Sequence, residues 1–316
     1  MKLRAALIAL LFIATSQITH AQVLITTTLP DSISYWERTN RIGLDINEIA
    51  FVNWSVGGNN SVSLLAKGNF VRKYSKKNVN WHNELIFRYG LNSQEGQEVR
   101  KTDDQFQFNS TFGYRKDSVT NWFYSAKFTF TTQFANGYSY PNTETEISGP
   151  FAPAYIFLGI GGEYNRKDLG LTAYFSPLTD KTTLVLNQML ADKGSFGVQK
   201  AILDADGNVL VNGKKTRTEL GILLTNQFKR QVFKNIMLDQ RTTLYTDYLN
   251  NFGNIDVDFQ FSLDMTVNEY VRANIGAHII YDDDIKATEE VAGEVVQVGP
   301  KMQLKQMVGV GLSYTF

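Results

Sequence analysis

The sequence predicts an all-β protein, a transmembrane antiparallel up-and-down β-barrel of about 12 strands. Three observations predict it. Apolar and polar residues alternate with a period of two through most of the chain. The alternating segments run about ten to fourteen residues, against about five or six in an ordinary strand and about nine to eleven in one tilted through a bilayer. The gaps between segments alternate between short and long, as the turns and loops of such a barrel do.

Composition narrows the class. In 316 residues, Lys plus Arg equals Asp plus Glu at 31 each, so no charge excess points to nucleic acid. The chain has no cysteine, which excludes disulfides, thiolate metal sites and a lipid-modified N-terminal cysteine. No run reaches the roughly twenty apolar residues of a membrane-spanning helix.

The N-terminus differs from the rest. Lys2 and Arg4 precede the apolar run from Ala5 to Ala14, and Thr19-His20-Ala21 offers small residues at cleavage offsets. This reads as a signal peptide over 1–21, leaving Gln22 as the mature N-terminus. Residues 22–40 are expected as a periplasmic segment and 41–316 as the barrel. In the first strand, near 41–54, Ile42, Leu44 and Ile46 alternate. Phase is then lost around Glu48, before Ile49 and Phe51, which suggests a bulge or a segment inside the barrel.

Strands near 61–73 and 79–91 follow. Near 103–114, Phe106, Phe108, Phe112 and Tyr114 oppose Gln105, Gln107, Asn109 and Thr111. Near 121–135, Trp122, Tyr124, Phe128, Phe130 and Phe134 oppose Lys127, Thr129, Thr131 and Gln133. Strands near 153–166 and 168–177 come next, the latter ending at Pro177 because proline is awkward in a closed sheet. The stretch SPLTDKTTLVLNQML then continues that strand above the membrane or folds into the lumen. Strands near 215–229 and 235–248 precede two clear alternations. Near 253–266, Val257, Phe259, Phe261, Leu263 and Met265 oppose Asp258, Gln260, Ser262 and Asp264. Near 269–282, Val271, Ala273, Ile275, Ala277 and Ile279 oppose Arg272, Asn274 and His278. The last strand, near 302–316, sets Val308, Val310, Leu312, Tyr314 and Phe316 against small residues.

Starting from a periplasmic N-terminus, turns 74–78, 115–120, 230–234 and 267–268 fall on the periplasmic side. Loops 92–102, 136–152, 178–214 and 283–301 fall outside. Phe70, Trp81, Tyr114, Trp122, Tyr164, Tyr314 and Phe316 then form a periplasmic aromatic girdle, and Tyr89, Phe106, Phe134, Tyr248 and Tyr281 an outer one. Val310, Leu312, Tyr314 and the terminal Phe316 resemble the signal read by the bacterial barrel-assembly machinery.

The stretches FVNWSVGGNNS (51–61), RKTDD (100–104), FANGYSYPN (134–142), LADKGSFGV (190–198), IYDDDIK (280–286) and VGVGLSYTF together resemble a Bacteroidota family, domain of unknown function 3078. The resemblance implies an outer-membrane barrel and brings no catalytic or ligand residues with it.

The inward face carries the candidate lumen lining. These residues are Lys67; Glu84 and Arg88; Lys127; Glu163; Arg217 and Glu219; Asp239 and Arg241; Asp256, Asp258 and Asp264; Arg272; and Lys305. With both signs present, they form either a hydrogen-bonded filling or a narrow polar channel. His82 and His278 also face inward, and neither has a nucleophile beside it in sequence, so no enzyme is expected. Asp282, Asp283 and Asp284 at the outer rim could bind Ca²⁺, or form a solvated turn. Asp204, Asp206 and Asn208 hint at a calcium loop, but a hairpin turning at Asp206-Gly207 explains them better. Arg100, Lys101, Asp103 and Asp104 end an expected outer loop; Tyr138, Tyr140 and Pro141 open another, where glycan contact and local packing are both adequate readings.

The expected function is a passive outer-membrane channel for small solutes, in a Gram-negative cell, after cleavage of the leader. The alternatives are a sealed structural or surface-binding barrel and an outer-membrane hydrolase. No cofactor and no nucleic acid is expected; the partners are outer-membrane lipid, the assembly machinery and an unknown solute.

Overall fold

The twelve long strands form one closed antiparallel barrel in which each strand pairs with its neighbours in sequence. They are β1 Trp36–Ile49, β2 Ser61–Lys76, β3 Val79–Gln94, β4 Arg100–Tyr114, β5 Trp122–Thr132, β6 Ala154–Arg166, β7 Leu171–Leu184, β8 Thr216–Phe233, β9 Ile236–Asp247, β10 Asp256–Thr266, β11 Val271–Tyr281 and β12 Gln303–Thr315. β12 returns to pair with β1, from Arg41↔Thr315 to Asp45↔Gly311. The structure is a computed structural model and describes residues 34–50, 59–117, 119–250, 252–291 and 294–316. The expected leader, its cleavage point and the stretch 51–58 lie outside the described residues.

The strands form because every second side chain can be buried inward while the others face outward. On β12, Val308, Val310, Leu312 and Tyr314 face out and are exposed. Lys305, Met307, Gly309 and Ser313, on the other phase, face in. The ladders preserve this phase: Phe108 pairs with Phe130, and Asn109 with Thr129.

One end of the barrel carries short turns. Lys77 (φ 51) makes the two-residue turn from β2 to β3, and Asn235 (φ 65) the turn from β8 to β9. Asn268 accepts from the backbone N–H of Val271 at 2.7 Å and of Tyr270 at 2.9 Å. Asp117 accepts from the N–H groups of Thr120 and Val119, which hold its carboxyl below the usual carboxylate range. Aromatics cluster here: Trp36 lies 5.8 Å from Trp81, Trp122 4.9 Å from Tyr164, and Tyr314 stacks on Phe316 at 5.6 Å. At the other end Phe134 packs against Phe87 and Phe106 at 5.4 and 5.9 Å. The two expected girdles thus sit at opposite ends of the strands.

Four expectations need correction. β1 begins at Trp36, so residues 36–40, expected in a periplasmic segment, are barrel strand. There is no bulge at Glu48: the β1–β2 register is unbroken from Trp36↔Tyr74 to Ile49↔Ser61. Glu48 simply lies near the strand end, where an outward charge reaches water. Residues 100–104 open β4 rather than end a loop. There Asp104 pairs with Lys101 and caps the backbone N–H groups of Phe134 and Ala135.

The fourth concerns the end of β7, expected at Pro177: of the two readings of the stretch beyond it, continuation of the strand holds, as far as Leu184. Proline is tolerated because the ladders slip there, between Ile160 and Gly162 on one side and Gly221 and Leu223 on the other. Ser176 Oγ lies within hydrogen-bond distance of the Ile160 and Leu178 carbonyls, 2.9 and 2.8 Å. A Cβ on Gly161 would run into the Phe175 carbonyl, so only glycine admits this bulge.

The second long loop, 185–215, holds a short helix, Gln188–Asp192, whose N-cap Asn187 accepts from Leu190 N–H. Leu190, Ala191, Val185, Val198 and Ala152 bury one another beside it. Asp204 accepts from the N–H of Asn208 and Asp206, fixing the turn of a small ribbon with Gly207 at φ 86. The hairpin reading of that stretch is the one the structure supports.

Candidate functional site

The interior is the place where this chain gathers chemistry. All fourteen expected lining residues lie on the inward phase of their strands or at its loop-end margin. Most are engaged by partners that sequence alone could not pair.

The widest contact spans the barrel. Arg241 on β9 donates to Glu84 on β3 through Nη1 at 2.9 Å and Nη2 at 3.1 Å. Those strands are six apart in either direction round the twelve, so the pair joins opposite walls. Asp239 holds Arg241 from its own strand at 3.2 Å, and Asn69 donates to Glu84 at 2.8 Å. Gln227 and Lys229 complete the shell of Asp239 at 3.1 Å each. A planar guanidinium between two carboxylates is the arrangement that arginine supports best.

Three further bridges cut across the lumen. Lys127 on β5 donates to Thr225 on β8 at 2.7 Å and lies over the ring of Tyr174. Lys305 on β12 donates to Asp103 on β4 at 2.6 Å, and Arg88 pairs with the same carboxylate at 2.6 Å. Lys181 on β7 pairs with Asp256 on β10 at 2.6 Å, with Asp282 at 3.6 Å and with Glu219 at 3.7 Å. Lys181 also caps the ring of Tyr245, which meets Phe157 edge-on at 5.7 Å.

The remaining candidates are held locally. Lys67 pairs with Asp45 at 2.6 Å, and His278 Nε2 lies 3.0 Å from Asp258. Arg272 donates to Thr266 at 3.1 Å, and Asn165 reaches Glu163 at 3.5 Å. Among the described residues, Asp264 makes no side-chain hydrogen bond or ion pair. His82 Nε2 is buried without a hydrogen-bond partner, and no serine or cysteine nucleophile is joined to either histidine by a hydrogen bond among the described residues.

At the loop end the expected trio Asp282, Asp283 and Asp284 is split. Asp283 accepts from Asn254 at 2.6 Å, while oxygens of Asp256, Asp282 and Asp284 lie within 4.8 Å of one another. The acidic group is therefore Asp256, Asp282 and Asp284, with Asp283 outside it. Lys181 and Arg217, the latter 2.7 Å from Asp284, already place cations against it. Those two side chains supply the charge that a divalent ion would bring. Arg217 also donates to the Gly197 carbonyl at 3.2 Å, so loop 185–215 leans over this mouth. At the rim, Tyr140 accepts from Lys101 N–H at 3.0 Å and lies under Arg100. These contacts satisfy the local-packing reading of that loop.

Sequence reasoning did not mark Lys181, Asp45 and Met307 as lumen residues, and it placed Asp103 in an outer loop instead of on the inner wall. Lys181 was hidden by the bulge: inward residues are Tyr174 and Ser176 before it and Thr179, Lys181 and Thr183 after it. The signal was Pro177 inside an otherwise regular alternation. Asp45 and Asp103 stood in plain alternation between outward neighbours.

An apolar belt, two aromatic girdles and a charged interior define a transmembrane β-barrel. Residues 46–138 match the family described as "Protein of unknown function (DUF3078)", the family that the sequence resembles. No curated protein matches the chain. Among solved structures, it is similar to an outer membrane channel from Pseudomonas putida F1, at 10% identity over 91% of this chain and 100% of that one, TM-score 0.39. It is also similar to the translocator domain of autotransporter NalP from Neisseria meningitidis, at 12% identity over 89% and 87% of the chains, TM-score 0.36.

Proposed function

We propose that the protein sits in the outer membrane of a Gram-negative bacterium, reached after removal of a leader over 1–21, and gives small polar solutes a narrow passive path. One observation carries this reading. The inner wall is polar or charged along its height, while the outer wall is an apolar belt between aromatic girdles, so the lumen offers water a route through lipid. The bridges from Glu84 to Arg241 and from Lys181 to Asp256 keep that route narrow. Because both signs line it, selectivity between anions and cations is weak. We take the barrel as non-enzymatic, inserted by the barrel-assembly machinery through its last strand, with no nucleic-acid partner.

A second reading has its own support: Glu84 and Arg241 join opposite walls, which favours a barrel sealed by its side chains. Single-channel recording in planar bilayers separates the two. The channel reading expects small, weakly selective steps that shrink as the salt's ions grow larger. Absence of steps in every salt, with intact folded protein in the bilayer, would leave the sealed barrel.

A further inference from the structure

One row on the outer wall is charged where its surroundings are apolar or aromatic. Arg38 on β1 stands directly opposite Arg72 on β2, and Arg72 directly opposite Asn83 on β3. Strand phase turns all three outward, because Asn69 and Glu84, on the other phase of β2 and β3, meet Arg241 or its partner inside the barrel. The row lies one step inside the aromatic end of the wall. Trp36, Tyr74 and Trp81 are the next outward residues toward the short turns, with Trp36 5.2 Å from Tyr74 and 5.8 Å from Trp81. Toward the middle of the membrane the next outward residues are Asn40, then Phe70 and Leu85.

Like charges directly opposite each other in a ladder are destabilising, and an arginine facing hydrocarbon costs more the deeper it lies. The chain does not neutralise this pair. Arg72 donates Nη1 to the Val71 carbonyl at 2.8 Å, and among the described residues neither Arg38 nor Arg72 forms an ion pair. Glu37 lies on the inward phase, opposite Lys73. Phe316 is joined to Asn40 through backbone hydrogen bonds and to neither arginine. The turn carboxylates Asp117 and Glu269 are two strands away, and Asp117 is held by the N–H groups of Thr120 and Val119. The other charge beside the row, Lys76 over the Tyr35 ring at 4.6 Å, has the same sign. Elsewhere at this end the outward arginines are not doubled: Arg166 pairs with its own acid, Asp168, at 2.6 Å, and Arg230 stands singly opposite Leu238.

The row also presents a third donor. Trp81 Nε1 donates to Ser110 Oγ at 2.9 Å and Ser110 Oγ to Asn83 Oδ1 at 2.8 Å, so the NH2 of Asn83 is the end left to donate beside Arg72. Two guanidinium groups and an amide, at the depth where aromatic rings mark the boundary between hydrocarbon and head groups, match the oxygens of a phosphodiester, which guanidinium binds in bidentate fashion.

We propose that Arg38, Arg72 and Asn83 form a binding site for the phosphate of an anionic phospholipid in the leaflet at the short-turn end. The phosphate lies between the two arginines and relieves their repulsion. The acyl chains run over Phe70 and Leu85, and the head group lies against the rings of Trp36 and Tyr74. The site is the same whether the barrel conducts or is sealed.

The test uses the full chain, folded in neutral detergent, with phosphatidylglycerol as the probe. Native mass spectrometry should show the lipid retained by the parent and retained about tenfold less, or worse, by Arg38→Gln/Arg72→Gln. Arg166→Gln/Arg230→Gln removes two cations from the same end and should retain lipid as the parent does. Stability gives a second readout. In detergent without lipid, Arg72→Gln should raise resistance to urea, because it removes the repulsion from Arg38. In vesicles containing phosphatidylglycerol it should lower that resistance. A residue that only packs would shift both in the same direction, and that result would overturn the site. Equal retention in the parent and the double variant, or no retention by the parent, would also overturn it. So would displacement of the lipid by inorganic phosphate at constant ionic strength, which would assign the arginines to a free anion. A two-barrel species carrying no lipid would overturn it too, and would place a second copy on this face.

Discussion

The β2–β3 hairpin and the β12–β1 seam are built from similar strands but are held in different ways. The hairpin is paired along its whole length, from Ser61↔Gln94 to Lys76↔Val79, around a two-residue turn. Its strands are adjacent in sequence, so little chain entropy opposes their meeting. The seam joins strands from the two ends of the barrel sequence and closes with a short ladder. Close approach helps to hold it: the bare backbone of Gly311 on β12 lets the Leu44 carbonyl and the Asp45 carboxylate of β1 come near. The wall is thus strongest where sequence is local, and its closure depends on a few specific residues.

The largest expected effect breaks that closure. In Gly311→Val a side chain would run into the Leu44 carbonyl and Asp45, so the barrel should not close. The heat-modifiable folded band on a gel should disappear; a normal folded band would remove Gly311 from the account of the seam.

Next comes the bridge between walls. Arg241→Ala leaves Glu84 buried and unpaired, which should lower stability to urea in lipid vesicles by about 3–5 kcal/mol. Adding Glu84→Gln should recover most of the loss, because removing both charges is far cheaper than stranding one. No recovery would mean that Arg241 acts by packing alone.

A smaller change is expected from Lys181→Met, at about 3 kcal/mol, because Asp256 keeps water at the mouth. Without that cation, Asp256, Asp282 and Asp284 should make the variant's stability rise with added Ca²⁺, while the parent stays indifferent. Equal response in both proteins would show that Lys181 does not stand in for an ion. Smallest is Asn268→Ala in a turn-end loop, at about 1 kcal/mol from two lost backbone caps. It should leave conductance as it was.

Much of the wall was legible in the sequence because strand phase is a local property. Val257, Phe259 and Phe261 announce an outward face without knowledge of their neighbours. The aromatic girdles follow from the same phase, since Trp81 and Trp122 sit at strand ends wherever the strands are placed. The lumen was legible only as a set of inward residues. That Arg241 would meet Glu84 depends on ladder registers accumulated over six strands, which no local pattern contains. Lys181 was missed because a single slipped residue near Pro177 reverses the phase of everything after it. The short ladder between β12 and β1 leaves no signal in β12, whose alternation continues regularly past its end at Gly311.

The account's central claim is that a polar lumen runs through the barrel and is narrowed by the contact of Glu84 with Arg241. Single-channel conductance of Glu84→Ser/Arg241→Ser, compared with the parent protein in the same bilayer and salt, tests it most directly. The predicted result is a clear rise in step size, with weak selectivity retained, as two long side chains leave the middle of the path. A folded double variant with no conductance would contradict the claim and show that the interior is closed by more than this bridge.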